Sequence, residues 1–276
     1  MKVVVYTCTF LDYDNVYTPV VMTPGVDYVL YADRAPRFVK GWQWRPLPPE
    51  VAGFSQSMAN RYCKFFPDRL FPDADVTLYA DGKTLMKGDL RPLIDEFLAS
   101  GAEIGLFKHQ QRDSLDEEVA FCKQVGKIKP QDFDAADAQL ADYYAEGLPR
   151  DHVLTQNGVI LRRHDGPGLR PAMQLWWDEM QTRTQRDQIS GPYVLWKTGL
   201  PVTVWPWNYA RHNRYFLRYP HRGQGTSFGY DLEMYAFVQK HRQGLTGRAF
   251  TALHAVVRRL RGDGPRRQPG RGAGTV

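Results

Sequence analysis

The sequence predicts one large α/β domain, a mostly parallel twisted sheet flanked by helices. Three observations lead there. Short β-branched and aromatic runs alternate with longer segments of helical period through the first two hundred residues, the pattern of parallel strands joined by crossover helices. The chain has 276 residues, of which 43% are hydrophobic and 24% charged, enough to build one sizeable core. No internal repeat breaks the series into stacked units.

The elements follow in order. Residues 3–9 and 28–31 are strands, and the turn-rich stretch between them, with Asp12, Asp14, Asn15, Pro19, Pro24 and Gly25, is a loop at the active end. A third strand, 43–47, stops at Pro48-Pro49. Residues 55–70 are helical, with Met58, Tyr62, Phe65 and Phe66 on one face, until Pro67 and Pro72 interrupt the chain. Residues 76–80 form a strand, 90–99 a helix and 103–108 a strand. Two helices divided near Pro130 fill 115–144. A strand lies within 153–162, a helix bearing Trp176-Trp177 at 169–181, a further helix around 193–197 and a late strand at 202–205. Beyond Tyr219 come a glycine-rich stretch, a helix at 232–241 and a basic amphipathic helix at 246–261. Residues 1–219 are thus the main α/β domain, 220–262 a helical extension, and 263–276 a basic tail too poor in apolar residues to fold alone.

In an open parallel sheet, ligands lie beyond the carboxyl ends of the strands. The polar residues at those ends are Thr7, Asp12 and Asp14 for the first strand, Asp33 for the second, Asp81 for the fourth and His109 for the fifth. Gln156 and Asn157 lie just before the sixth. Each acid alone also reads as a turn former. Converging from distant parts of the chain, they mark a candidate site.

Seven blocks carry a family resemblance: K-V-V-V-Y-T at 2–7, Y-A-D ending at Asp33, R-Y-C-K-F-F-P at 61–67, Y-A-D-G-K at 79–83, L-F-K-H-x-x-R-D at 106–113, G-V-I-L-R-R-H at 158–164 and R-D-Q-I-S at 186–190. In this order, over about residues 1–207, the chain resembles a glycosyltransferase-like family, formerly a domain of unknown function, related to the plant mucilage and pectin glycosyltransferases. The resemblance implies a GT-A fold, a nucleoside-diphosphate sugar donor, most simply UDP-linked, and a glycan acceptor.

It implies roles as well. Thr7 and Asp33 would hold base and ribose, since a carboxylate accepts from imide and hydroxyl donors. Arg61 and Lys64, one helical turn apart, would face a diphosphate or an acidic sugar, although the same spacing suits a solvated helix face. Asp81, with Gly82, stands where many GT-A enzymes carry Asp-x-Asp, but the second acid is replaced by Lys83. Two accounts stay open: Asp81 holds Mn²⁺ or Mg²⁺ with ligands from elsewhere, such as His212 or His221, or Lys83 and nearby arginines neutralise the diphosphate without metal. Asp187, followed by Gln188, resembles the Asp-Gln element beside the reacting sugar in retaining transferases, and it could equally cap a helix. His109 is a candidate general base or donor contact, or a structural histidine. Asn157 suits sugar hydroxyls, while Trp176-Trp177 read as core and Asp113, Glu117 and Glu118 as a solvated acidic helix start.

Other classes are excluded or reduced to alternatives. No G-x-x-x-x-G-K-[ST] occurs and no G-x-G-x-x-G follows the first strand, so neither a P-loop nor a dinucleotide site is expected. Three cysteines without C-x-x-C spacing argue against a zinc site or a disulfide framework, and with no signal-peptide pattern they fit the cytoplasm. The net charge of +6 is concentrated at the end of the chain, where Arg258, Arg259, Arg261, Arg266, Arg267 and Arg271 face the single acid Asp263. That suggests peripheral attachment to an anionic membrane surface rather than nucleic-acid reading, for which no motif is present. Two alternatives stay open: a sugar-nucleotide-binding protein that has lost catalysis, motivated by Lys83, and a membrane-surface or nucleic-acid binding protein acting through its basic C-terminus.

Overall fold

The first strand has all seven of its residues buried, which only a sheet covered on both faces allows. The computed structural model describes residues 1–11, 13–14, 16–36, 40–218, 228–242 and 244–260. Two compact units divide the chain, residues 1–221 and 222–276.

In the first unit, β1 (Val3–Thr9), β2 (Val26–Ala32), β3 (Gln43–Arg45), β4 (Val76–Ala80), β6 (Ile104–Lys108), β7 (Thr155–Arg163) and β8 (Val202–Trp205) form one sheet in the order β3-β2-β1-β4-β7-β6-β8. Strand periodicity splits its side chains between two cores. Val4, Tyr6 and Cys8 of β1 join Tyr79 and Ile160 in one, against helices α1 (Gln56–Phe65), α6 (Leu169–Thr182) and α7 (Asp187–Thr198). Val3 and Val5 join Leu78, Val159 and Leu161 in the other, beneath α3 (Arg91–Ala99). Trp176 and Trp177 lie in the first core, where Trp177 packs on Tyr62 and Phe66.

All the pairings of this sheet are parallel except those of β7, which runs antiparallel to both β4 and β6. The cause is the connection. From the end of β6 the chain passes through α4 (Leu115–Gln124) and α5 (Phe133–Ala145) and re-enters the sheet in the opposite direction. The start of β7, with Gln156 and Asn157, therefore meets the carboxyl ends of the parallel strands.

Local signals set the helix ends. Ser55 caps α1 by accepting from the Met58 amide at 3.2 Å. Proline interrupts the run, so that 67–70 is a separate short helix, α2. Gly199 ends α7 in the left-handed region at φ 60°. Two strands were not anticipated: β5 (Thr84–Met86) and β9 (Phe216–Arg218) pair antiparallel as a small second sheet beside the end of β4. Three-residue strands are too short for a periodic signal, and only the long-range pairing stabilises them.

In the second unit, α8 (Phe228–Gln239) packs on α9 (Gly244–Leu260), with Tyr235 edge-on to Phe250 and Phe237 beside His254. Asp12, Asn15 and His221, and the tail at 261–276, lie outside the described residues.

Candidate active site

A cleft of about 710 Å³ opens at the carboxyl rim of the sheet. Thr9 ends β1 and Phe10 and Asp14 follow it, while Asp81, Gly82 and Lys83 follow β4. His109 to Arg112 follow β6, and Gln156 to Gly158 begin β7. Helix α1 contributes Asn60, Arg61 and Lys64, and the start of α7 contributes Arg186, Asp187 and Gln188. Eight cationic side chains line this space against three carboxylates. The cleft is built for an anion.

Its most ordered part is a buried ion cluster. Asp187 is 6% exposed, accepts from Lys64 Nζ at 2.5 Å and lies 3.8 Å from Arg61 Nη2. Burial alone would raise its pKa, but Lys64, Arg61 and Arg186 outweigh that and hold it well below the usual carboxylate range. Asn157 donates to the Asp187 carbonyl at 2.9 Å, tying β7 to α7. The carboxylate therefore faces cations rather than capping its helix, and Arg186 precedes the first turn.

The second acid is more open. Asp81 is half-buried and accepts from the Tyr79 hydroxyl at 3.1 Å, while its own amide donates to the Gly158 carbonyl at 2.8 Å. Gly158 is required here, because a Cβ would stand 2.1 Å from the Tyr209 hydroxyl and 2.9 Å from Asp81 Oδ2. Lys83 is half-buried beside it, and burial lowers its pKa, partly offset by Asp81 and Asp14. The β5–β9 pairing sets Arg218 opposite Thr84, which brings a second cation to the same end of the cleft.

His109 lines the cleft, but its Nδ1 is engaged by the backbone. Nδ1 accepts from the Arg112 amide at 3.0 Å and the Gln111 amide at 3.3 Å, and Nε2 lies 2.9 Å from Arg112 Nη2. Burial, then the Arg112 charge, lowers its pKa and keeps it neutral. This geometry suits a strut better than a base. Arg112 in turn pairs with the fully buried Glu118, which moves that acid from the solvated helix start expected of it to the interior.

Two expected donor contacts do not line the cleft. Thr7 is buried within β1, and Asp33 accepts from the Leu11 amide at 3.0 Å, bracing the loop after β1. Both were placed by following their strands, but Thr7 lies two residues before the end of β1 and points into the fold. Thr9 takes the rim position.

A family model for the TOD1/MUCI70 glycosyltransferase-like domain matches residues 52–214, more than half of the chain. The chain belongs to the TOD1/MUCI70 glycosyltransferase-like family. With its mostly parallel, helix-flanked sheet it has the α/β architecture that the GT-A expectation required. Similar solved structures include the WbbM bifunctional glycosyltransferase (15% identity, TM-score 0.45, 75% of this chain and 38% of that one). Mouse xyloside xylosyltransferase 1 is another (13%, 0.42, 74% and 84%), as is the galactosyltransferase LgtC in complex with donor and acceptor sugar analogues (12%, 0.41, 74% and 73%). This chain thus spans little more than a third of WbbM, and what those three proteins bind is said of them alone. No curated protein matches the sequence.

Within this TOD1/MUCI70-type cleft, a divalent metal would have two carboxylates and a bound diphosphate as ligands. Asp14 and Asp81 both line it, but the cation beside them is Lys83. Among the described residues no group of three or more His, Cys, Asp or Glu side chains is placed to hold a metal ion. His212 is not among the lining residues. The sequence reading had also missed Asn208, Tyr209, Arg211 and Arg218. The first three follow the carboxyl end of β8, so the rule that located Asp81 would have found them. Arg218 left no such signal, because β9 forms only by pairing with β5.

Proposed function

We propose that the chain transfers a sugar, a hexose or a uronic acid, from a UDP-linked donor to a polysaccharide or other glycan, with retention at the anomeric carbon. The observation that carries this reading is the charge of the cleft, eight cations against three carboxylates at the ligand rim of the sheet. As the bond from the anomeric carbon to the diphosphate breaks, negative charge gathers on the departing oxygen, and cations already held in place lower that barrier. Lys83 and Arg218 are assigned to the diphosphate, in the role a divalent ion would otherwise fill. Asp81 and Gln188 are assigned to sugar and ribose hydroxyls. Asp187 acts through Lys64 and Arg61, holding them toward the reacting sugar, and is a positioning residue.

The test is a thermal-shift screen of UDP-, GDP-, CMP- and dTDP-sugars, followed by donor hydrolysis with and without Mn²⁺ and with chelator. A UDP-sugar should raise Tm. The Asp81→Ala variant should lose most of that shift, and hydrolysis should be insensitive to chelator. If no nucleotide sugar shifts Tm, the reading fails. Lys83 in place of a second acid favours one competing account, donor binding without turnover, which predicts the shift with no hydrolysis.

We further propose peripheral attachment at the cytoplasmic face of an anionic membrane. Among the described residues no helix is long and apolar enough to cross a membrane. Helix α9 instead exposes Leu245, Ala249, Ala252, Val256 and Leu260 at intervals of four, three, four and four, one stripe of a helical face with Arg248 and Arg259 beside it. The tail adds Arg261, Arg266, Arg267 and Arg271. Removing residues 246–276 should abolish sedimentation with phosphatidylserine vesicles and leave donor turnover intact; loss of both would make this segment structural.

A further inference from the structure

One wall of the cleft holds more positive charge than a donor diphosphate explains. Arg112 and Lys127 both lie over the Phe121 ring, at 4.0 and 5.4 Å from its centroid, and all three line the cleft. Arg186 lines the same wall, and among the described residues its buried Nε meets no hydrogen-bond acceptor. The acid of this cluster, Glu118, is 0% exposed and committed inward, paired with Arg112 and accepting from Cys122 Sγ at 3.2 Å. The exposed Lys127 and the half-buried Arg112 and Arg186 thus gather like charge on one wall. Partial burial, then Arg186, pushes the Lys127 pKa down against the opposing pull of Cys122 and Glu118.

Such an arrangement is unfavourable until an anion enters it, and the Phe121 face gives that anion's carrier an apolar floor. This wall is built from the loop after β6, helix α4 and the residue before α7, whereas Lys83 and Arg218 come from the β5–β9 side. We infer that Arg112, Lys127 and Arg186 form a second anion subsite over Phe121, which takes a carboxylate borne on a sugar ring. This deepens the transferase reading and rests on it. A planar guanidinium and an ammonium suit a ring carboxylate, and the aromatic face suits the C–H surface of the same ring.

The carboxylate could arrive on the transferred sugar or on the acceptor, and binding calorimetry at low salt separates the two. One arm compares UDP-glucuronate with UDP-glucose. The other compares a hexuronate trisaccharide with its carboxyl-reduced, neutral counterpart. Wild type should bind the acidic member of at least one pair about tenfold or more tightly, the scale of one charge-assisted hydrogen bond. The arm that shows the preference names the carrier. Lys127→Gln should erase the preference while binding UDP as wild type does, and Lys127→Arg should retain it, which shows that the variant site is still folded. Equal binding within both pairs overturns the subsite. So does a Lys127→Gln variant that loses UDP affinity as much as carboxylate preference, because the cluster would then serve the diphosphate. Failure of UDP itself to bind wild type would instead sink the transferase reading, and the trisaccharide arm reads the subsite without it.

Discussion

Asp187 and Asp81 stand in the same cleft, each a carboxylate beside cations, yet their surroundings are opposite. Asp187 is almost wholly buried, with its charge taken up by Lys64 at 2.5 Å and Arg61 at 3.8 Å. Asp81 is half-buried and accepts from a neutral tyrosine hydroxyl at 3.1 Å. A buried, paired carboxylate has little left to offer a ligand but holds two elements together, here α1 and α7. A half-open one next to a lysine keeps its acceptor capacity for hydroxyl groups. Position along the sequence says nothing of this difference. Burial decides it.

The comparison can be broken from its buried side first. Lys64→Met leaves Asp187 with Arg61 and Arg186 but no hydrogen-bonded cation, and a buried charge stripped of its partner costs about 3–5 kcal/mol. Urea unfolding should show that loss, and it should shrink as pH falls. The folded-state pKa of Asp187 is depressed, so its favourable contribution is present above the ordinary carboxylate pKa and disappears as acid protonates it. A loss below about 1 kcal/mol at neutral pH would mean that the pair is no scaffold.

On the open side the expected effect falls on turnover. Lys83→Gln should lower donor hydrolysis about a hundredfold, the size of one lost transition-state donor, with the urea midpoint unchanged. A variant with full activity would remove Lys83 from the diphosphate. Between the two sites, Gly158→Ala would push a methyl group against the Tyr209 hydroxyl and Asp81. Overpacking of this kind costs about 1–3 kcal/mol, and here it should also weaken nucleotide-sugar binding by displacing Asp81. The smallest effect lies away from the cleft. His164, 3.0 Å from the Thr77 hydroxyl, has its pKa lowered to about 4, first by burial and then by the Arg162 charge. The unfolded chain takes up this proton before the folded one does, so stability complete above about pH 6.5 should decline as pH drops toward 4. In His164→Gln that part of the decline should vanish; an unchanged pH profile would refute the assignment.

Much of this molecule was legible beforehand. The strands at 3–9, 76–80 and 202–205 lie where their apolar runs place them, because four to seven consecutive β-formers bounded by turn residues leave little choice. The rim rule placed Asp14, Asp81, His109, Gln156 and Asn157 along the cleft, and the spacing of Arg61 and Lys64 set both on one helical face of it. What the residues could not say was direction and depth. The antiparallel run of β7, the pairing of β5 with β9 that delivers Arg218, and the inward turn of Glu118 and Asp187 all depend on contacts between segments far apart in the chain. Local sequence encodes propensity and period, both short-range quantities. Whether a carboxylate ends up in water, against a lysine or at a ligand is set by which distant elements pack over it, and that only the tertiary structure decides.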